Sequence, residues 1–358
     1  MTTLFARATR RAGRSHFRYV RPVPFAAATG LVGTVYRRIE AEFGMLAPPL
    51  ALHSPAPSVL AASWSILREV LVVPGLVARA DKEAVAAAVS LANNCPYCAE
   101  VHSTTLRGLV RGKDPEAIAA GRIEDVTDDR LRTLAGWAVT SAEAPGPAPF
   151  PRAQAPELIG TVLTFQYINR MVNVFLQESP LPPVQGIARD VVRRGAARVM
   201  RRLASSAPLP GLDTDDLLPA AQLPDDLRWA QSRPSIANAL ARAAGAIDEA
   251  GERRLTTAAR DMVRAALREP GRDAGTAPWL QERLGTLPAR DRPATRLALL
   301  TAVSSFRITD SVVAGVRATG ADDAALIEVT SWASLTAARH IAARQDMGND
   351  DHGGNPAG

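Results

Sequence analysis

Cys95 and Cys98 are the only thiols in 358 residues, and they stand as C-x-x-C. His102 lies one helical turn after the second cysteine, and Glu83 lies twelve residues before the first. Two thiols, an imidazole and a carboxylate so close in sequence are the parts of a thiol redox site. A spacing of four puts Cys98 and His102 on one face of a helix. The imidazole can then take the thiol proton or stabilise the thiolate, and a helix N-terminus lowers a thiol pKa further. A thiolate attacks the O–O bond of a peroxide and becomes a sulfenic acid, which a second thiol converts to a disulfide. Cys95, three residues away, is placed to be that resolving thiol. Glu83 reads either as a proton carrier or as an ordinary carboxylate in the first turn of a helix.

The same residues admit other chemistry. A zinc site could use Cys95, Cys98 and His102 but needs a fourth ligand, and His16, His53, His340 and His352 offer no ligand-like pair. A thioredoxin-type oxidoreductase carries C-x-x-C on a βαβ unit, which this sequence does not show. Two inert buried cysteines are the plainest alternative. No nucleotide, haem or flavin motif is present, so no cofactor and no metal is expected.

The elements that must position these groups read as helices. The composition is 47% hydrophobic but only 5% aromatic, and strand-like alternation is nearly absent, so the fold class is all-α. Asp81 can cap a helix running to about Ala92, with Glu83 in its first turn. Asn93-Asn94 break it, and Asn94 suits the N-cap of a new helix that starts at Cys95 with Pro96 in its first turn. Earlier helices are predicted at Phe25–Phe43 and Ser58–Val72, and later ones at 114–120, 128–142, 155–176 and 184–203. The second half predicts helices at 235–250, 255–267, 292–305, 309–318 and 322–344.

The charge pattern sets boundaries. Residues 1–22 hold Arg7, Arg10, Arg11, Arg14, Arg18 and Arg21 with no acid, and a second basic cluster runs from Arg189 to Arg202. Neither has a nucleic-acid motif beside it, so both read as solvated, with no nucleic-acid partner. No apolar run follows Arg10-Arg11. Val23–Val35 is short and interrupted by Pro24, Gly30 and Gly33, which argues against export and against a membrane span. A cytoplasmic protein with a reduced dithiol follows. The chain divides into a basic flexible arm (1–22), a helical domain with the C-x-x-C site (23–180), a connecting helix and linker (181–224), a second helical domain (225–347) and a disordered tail (348–358). The two helical parts are faintly repetitive. PSVLAASWSILREV at Pro57 matches PSIANALARAAGAI at Pro234, and AVSLANNCPYC at Ala88 matches AVSSFRITDSV at Ala302. Thr309, Val312, Val316 and Leu297 then stand where Cys95, Cys98, His102 and Glu83 do, so the second copy has lost its chemistry.

At these residues the sequence resembles the carboxymuconolactone decarboxylase-like superfamily, and within it the alkyl hydroperoxidase D branch. Glu83, Cys95, Cys98 and His102, embedded in KEAVAAAVSLANNCPYCAEVHSTTL, sit at the family spacing. The resemblance covers about residues 41–122, and FQYINRMVNVF at Phe165–Phe175 also looks like family sequence. It implies an all-α fold of tandem helical repeats, here with a degenerate second copy, assembled as a homo-oligomer. It also implies that Cys98 attacks an alkyl hydroperoxide, that Cys95 resolves, and that Glu83 and His102 relay protons. The implied reductant is a dithiol or protein, in the family a lipoyl-linked one. Where that branch has a histidine before the second cysteine, this chain has Tyr97, whose phenol can donate a hydrogen bond. A decarboxylase-type lactone enzyme and a non-enzymatic redox-sensing dithiol protein are the competing functions.

Overall fold

The computed structural model describes residues 16–143, 146–180, 186–205, 207–212, 214–269 and 273–350. Most of the basic arm (1–15), residues 144–145 and 181–185, a few positions of the linker and second half, and residues 351–358 of the tail lie outside them. The described residues fold into helices, with a single antiparallel bridge between Phe17 and Leu176 and no strand. The first half holds α1 (Gly30–Glu42), α2 (Pro48–Ala51), α3 (Pro57–Leu67), α4 (Arg79–Ala92), α5 (Pro96–Leu109), α6 (Asp114–Ala119), α7 (Asp129–Thr140) and α8 (Ala155–Phe175). After α9 (Gly186–Ala204) come α10 (Pro234–Arg254), α11 (Thr257–Arg268), α12 (Ala277–Gly285), α13 (Arg292–Ser304), α14 (Asp310–Arg317) and α15 (Asp323–Asp350). Among these described residues no helix is long and apolar enough to cross a membrane.

Several predicted helices change form at their ends. Phe25–Ala27 is a separate 3₁₀ turn, because Gly30 takes a positive φ of 53° before α1 continues. The helix predicted to Val72 widens into a π turn over Arg68–Val72. Ala78, not Asp81, is the N-cap of α4, and Asp81 sits in its first turn paired with Arg130 at 2.6 Å. The short α2 and α12 start at or beside prolines and were not foreseen.

α8 is the centre of the packing. Nearly all of its residues are buried, and it lies along α15 from the second half, while α3 packs on α10. The apolar side chains of both halves form one continuous core. Tyr167 joins three helices through it, bonding to Ser63 at 2.8 Å and Ser331 at 3.3 Å. His53 stacks on the Tyr167 ring at 5.7 Å, and burial pushes this imidazole down to about 3, so it is neutral.

The stretch read as a linker is docked rather than free. Glu69, wholly buried in the π turn, accepts from the Gly211 N–H at 3.2 Å and the Thr214 hydroxyl at 3.1 Å. Arg68 pairs with Glu42 at 2.5 Å and donates to the Leu209 carbonyl at 2.9 Å. Buried charges need such partners, and here the linker backbone supplies them. The basic arm is likewise shorter than its charge suggests. From His16 onward it is tied down by Arg18 N–H to the Phe175 carbonyl (2.7 Å) and by Arg21 N–H to Asp323 (2.8 Å).

A second buried pair sets the approach of α4 to α8. Lys82 lies 2.6 Å from Glu157 and donates to the Val70 carbonyl at 2.9 Å. Glu157 also accepts from the Leu76 and Val77 N–H groups at 2.7 and 3.2 Å, and only glycine fits at position 75 beside its carboxylate. Burial pushes the Glu157 carboxyl up, but Lys82 and the two backbone donors outweigh it, leaving a pKa below the usual carboxylate value of 4.5. Stability from a depressed carboxylate is complete above its unfolded pKa and lost as pH falls through the folded one. Thermal melts are expected to fall below about pH 4.5, less steeply in Glu157→Gln. Lys82→Met, which strands the Glu157 charge, is expected to cost about 3–5 kcal/mol in denaturant unfolding.

Candidate active site

The site is built on the turn between α4 and α5. Asn94 adopts a left-handed φ of 50°, a conformation asparagine tolerates. The chain therefore reverses within two residues, and α5 runs back along α4. The Cys95 N–H returns to the Ser90 carbonyl at 2.9 Å, and Asn173 of α8 clamps the Asn93 carbonyl at 3.0 Å. Cys95, rather than Asn94, is the N-cap of α5. Pro96 occupies the first helical position, where its missing N–H costs nothing. Cys98 then falls in the first turn, on the face that also carries His102.

This reversal brings Glu83 to His102. The carboxylate is 1% exposed and bridges a guanidinium and an imidazole, with Oε2 2.7 Å from His102 Nδ1 and Oε1 accepting from Arg79 Nε at 2.7 Å. Burial raises the Glu83 pKa, but Arg79 and His102 more than offset it, so the carboxyl stays ionised and below its usual range. An ionised Glu83 accepts the Nδ1–H of His102 and leaves Nε2 as the basic nitrogen. The His102 ring is fixed edge-on against Phe165, with centroids 4.2 Å apart. Arg79 and Phe165 were not singled out from the sequence. An i, i+4 Arg–Glu pair on α4 was the available signal for Arg79.

Both thiols are free and buried. The expectation that the helix N-terminus lowers the Cys98 pKa fails. Burial pushes this thiol well above the usual thiol range, the neighbouring Cys95 adds to the rise, and the backbone donor at Cys98 opposes them too weakly. Desolvation outweighs the helix end because no charged partner reaches the sulfur. Tyr97 is also buried, which raises its phenol pKa and keeps it protonated.

A cavity of about 330 Å³ reaches this site. Cys98, Tyr97 and His102 line one wall, whereas Cys95 and Glu83 stand behind them and do not. The opposite walls are apolar, from Phe43, Leu50, Leu67, Leu71 and Ile168, and the inner face of α9 closes over them through Ala196, Val199 and Met200. α9 can lie this close to α5 because position 108 is glycine, where a Cβ would meet the Ala197 carbonyl at 2.5 Å. Arg193 of α9 is paired with Glu100 of α5 at 2.7 Å. One basic residue of the second cluster thus latches α9 in place, while Arg194, Arg198, Arg201 and Arg202 face solvent.

The chain is similar to known proteins over this region and beyond. The model of the carboxymuconolactone decarboxylase family matches residues 59–144, which span α3 to α7 and include Glu83, Cys95, Cys98 and His102. Along nearly its whole length the chain is similar to a protein of Mycobacterium tuberculosis (strain H37Rv) named alkyl hydroperoxide reductase. The two are 38% identical over 328 residues, covering 90% of this chain and 93% of the relative. Identity of that extent, with the four site residues inside the matched segment, shows that the chain belongs to the carboxymuconolactone decarboxylase family, in its alkyl hydroperoxidase D branch.

Proposed function

We propose that the protein is a thiol peroxidase that reduces alkyl hydroperoxides through a Cys95–Cys98 dithiol/disulfide cycle. The observation that carries this reading is the difference between the two cysteines. Cys98 lines the cavity beside His102, and Cys95 sits behind it within reach of its sulfur. The name of the M. tuberculosis relative supports the substrate class.

In this reading His102 Nε2 takes the Cys98 proton, held in the basic tautomer by Glu83, while Arg79 keeps Glu83 ionised. The thiolate attacks the terminal peroxide oxygen. The S–O bond forms, the O–O bond breaks, and the alkoxide takes a proton to leave as the alcohol. Cys95 then attacks the Cys98 sulfenic acid, releasing water and closing the disulfide. An external dithiol reduces it by exchange, supplying the two electrons that the peroxide took and leaving as its own disulfide. Tyr97 supports the site as a neutral phenol on the cavity wall.

Cys98→Ser is expected to reduce hydroperoxide turnover, driven by dihydrolipoamide, to background. Cys95→Ser should consume one equivalent and stop at a sulfenic acid that a dimedone probe traps. Turnover that survives in the Cys95→Ser, Cys98→Ser double variant would instead favour decarboxylase-type chemistry that needs no thiol. Glu83→Gln should lower kcat by about 10²–10⁴-fold, the usual scale for a lost acid–base group.

The raised Cys98 pKa gives a second test. A thiol above the usual range holds less thiolate near neutral pH than free cysteine, whose pKa is about 8.5. Alkylation of reduced Cys98 by iodoacetamide should therefore be slow at about pH 7 and still rising beyond about pH 9. A rate already saturated below pH 7 would contradict it.

A further inference from the structure

The cavity wall carries a third group whose role is unassigned, His16. The segment entering α1 holds it rigidly. The Gln177 N–H donates to the His16 carbonyl at 2.9 Å, and the next two residues bridge to Leu176 and Phe175. The ring stands edge-on to Tyr97, with centroids 6.2 Å apart, and lines the same cavity as Cys98 and His102. Its Nδ1 is shielded from solvent and has no hydrogen-bond partner among the described residues. Several other polar atoms of the wall are committed, although the Tyr97 hydroxyl and His102 Nε2 are not among them. His102 Nδ1 is spent on Glu83, both Glu100 oxygens are spent on Arg193 at 2.9 and 2.7 Å, and the Thr104 hydroxyl donates to Glu100 at 3.5 Å. An unpaired buried nitrogen is costly, and the imidazole's last torsion is soft, so a small ring rotation turns it to an oxygen in the cavity.

The charge of the wall limits what that oxygen can belong to. Among the described residues no lysine or arginine lines the cavity, and the one carboxylate among them is already paired. A ligand bringing its own carboxylate would bury a charge without a partner, whereas an apolar body meets side chains of its own kind. A volume of about 330 Å³ sits at the small end of ligand pockets, about 300–1,000 Å³.

We propose that this cavity takes an uncharged, compact, apolar hydroperoxide, and that His16 of the N-terminal segment is the residue that hydrogen-bonds its oxygen. That the ligand is a hydroperoxide rests on the peroxidase reading; its lack of charge and its contact with His16 do not. In the reaction His16 donates to the oxygen that leaves. Cys98 gives its proton to His102, the thiolate takes the terminal oxygen as the O–O bond breaks, and the alkoxide, hydrogen-bonded by His16, takes the proton from His102 to leave as the alcohol. Both histidines end as they began, and the net change is thiol plus hydroperoxide to sulfenic acid plus alcohol.

Binding of stable stand-ins to the reduced full-length protein tests this without turnover. The probes are 2-phenyl-2-propanol, the hydrocarbon isopropylbenzene and the anion 4-isopropylbenzoate, titrated by ligand-observed NMR or calorimetry. The wild type should prefer the alcohol to the hydrocarbon by about fivefold, the worth of one hydrogen bond. His16→Phe should lose that preference while binding the hydrocarbon unchanged, and His16→Gln, which keeps a donor, should recover part of it. The anion should bind at least tenfold more weakly than the alcohol. An unchanged preference in His16→Phe, with a wild-type melting curve, would remove His16 from the site. Anion binding as tight as the alcohol's would overturn the uncharged class and point to the outer arginines of α9. Failure of all three probes to bind would overturn the cavity as a ligand site. Expected binding with no turnover of the matching hydroperoxide would leave this proposal standing and sink only the peroxidase reading.

Discussion

The hydrogen bond between Glu83 and His102 is the constraint on which the site depends. It joins residues nineteen apart on two antiparallel helices, so it exists only if the chain reverses sharply between them. The left-handed Asn94 supplies that reversal, and Asn173 and Ser90 hold it through the flanking backbone. A buried carboxylate without partners would be protonated or would unfold the site. Here Arg79 and His102 share its two oxygens, and the imidazole is thereby aimed and its tautomer chosen. The same contact is thus a tertiary fastener and, in the proposed reaction, the start of a proton path.

Burial sets the reactivity of the thiols in a direction the sequence does not suggest. A helix N-terminus and an imidazole one turn away are the usual recipe for a low thiol pKa. In this protein the sulfurs are enclosed by apolar walls and by each other, and desolvation prevails. A raised thiol pKa favours the protonated dithiol near neutral pH. In the proposed cycle the thiolate then forms by proton transfer, which makes the aim of His102 more important than the helix dipole. The π turn and α9 serve the same end, since Leu67, Leu71 and Met200 form the walls that exclude water.

What was legible in the sequence is what repeats locally. The alanine-rich periodicity of α4, the Asn-Asn break and the Pro96 start place the cysteines at a helix N-terminus with the right partners on the right face. The all-α class follows from the same periodicity. What was not legible depends on distant contacts. Asp81 resembles a cap by type but is drawn into a pair with Arg130, so the helix begins earlier. The stretch at 205–224 has linker composition, yet Glu69 and Arg68 need its backbone to satisfy their charges. His16 belongs by composition to a solvated basic arm, and only its docking beside Leu176 reveals that it reaches the cavity. A solitary histidine in a polar tail carries no signal of that kind.

The internal alignment read from the sequence pairs the site with a stretch of the second half that carries none of its chemical groups. Thr309, which the internal alignment pairs with Cys95, is the N-cap of α14, and Val312 and Val316 are buried where Cys98 and His102 stand. The two valines at the paired positions make a packing face, with neither a thiol nor an imidazole there to satisfy. The gain is transmitted through α8. That helix presents Phe165 and Ile168 to the cavity, Asn173 to the Asn93 turn, and its remaining length to α15 of the second half. Arg170 of α8 donates to the Ala302 carbonyl at 3.1 Å, and Asn173 also reaches Ser305 at 3.0 Å, so the end of α13 fixes the same turn from behind. A half that kept its own charged relay would carry a second set of desolvation costs at this junction. Stripped of it, the half can act as a rigid backing for the single turn that sets the distance from Glu83 to His102.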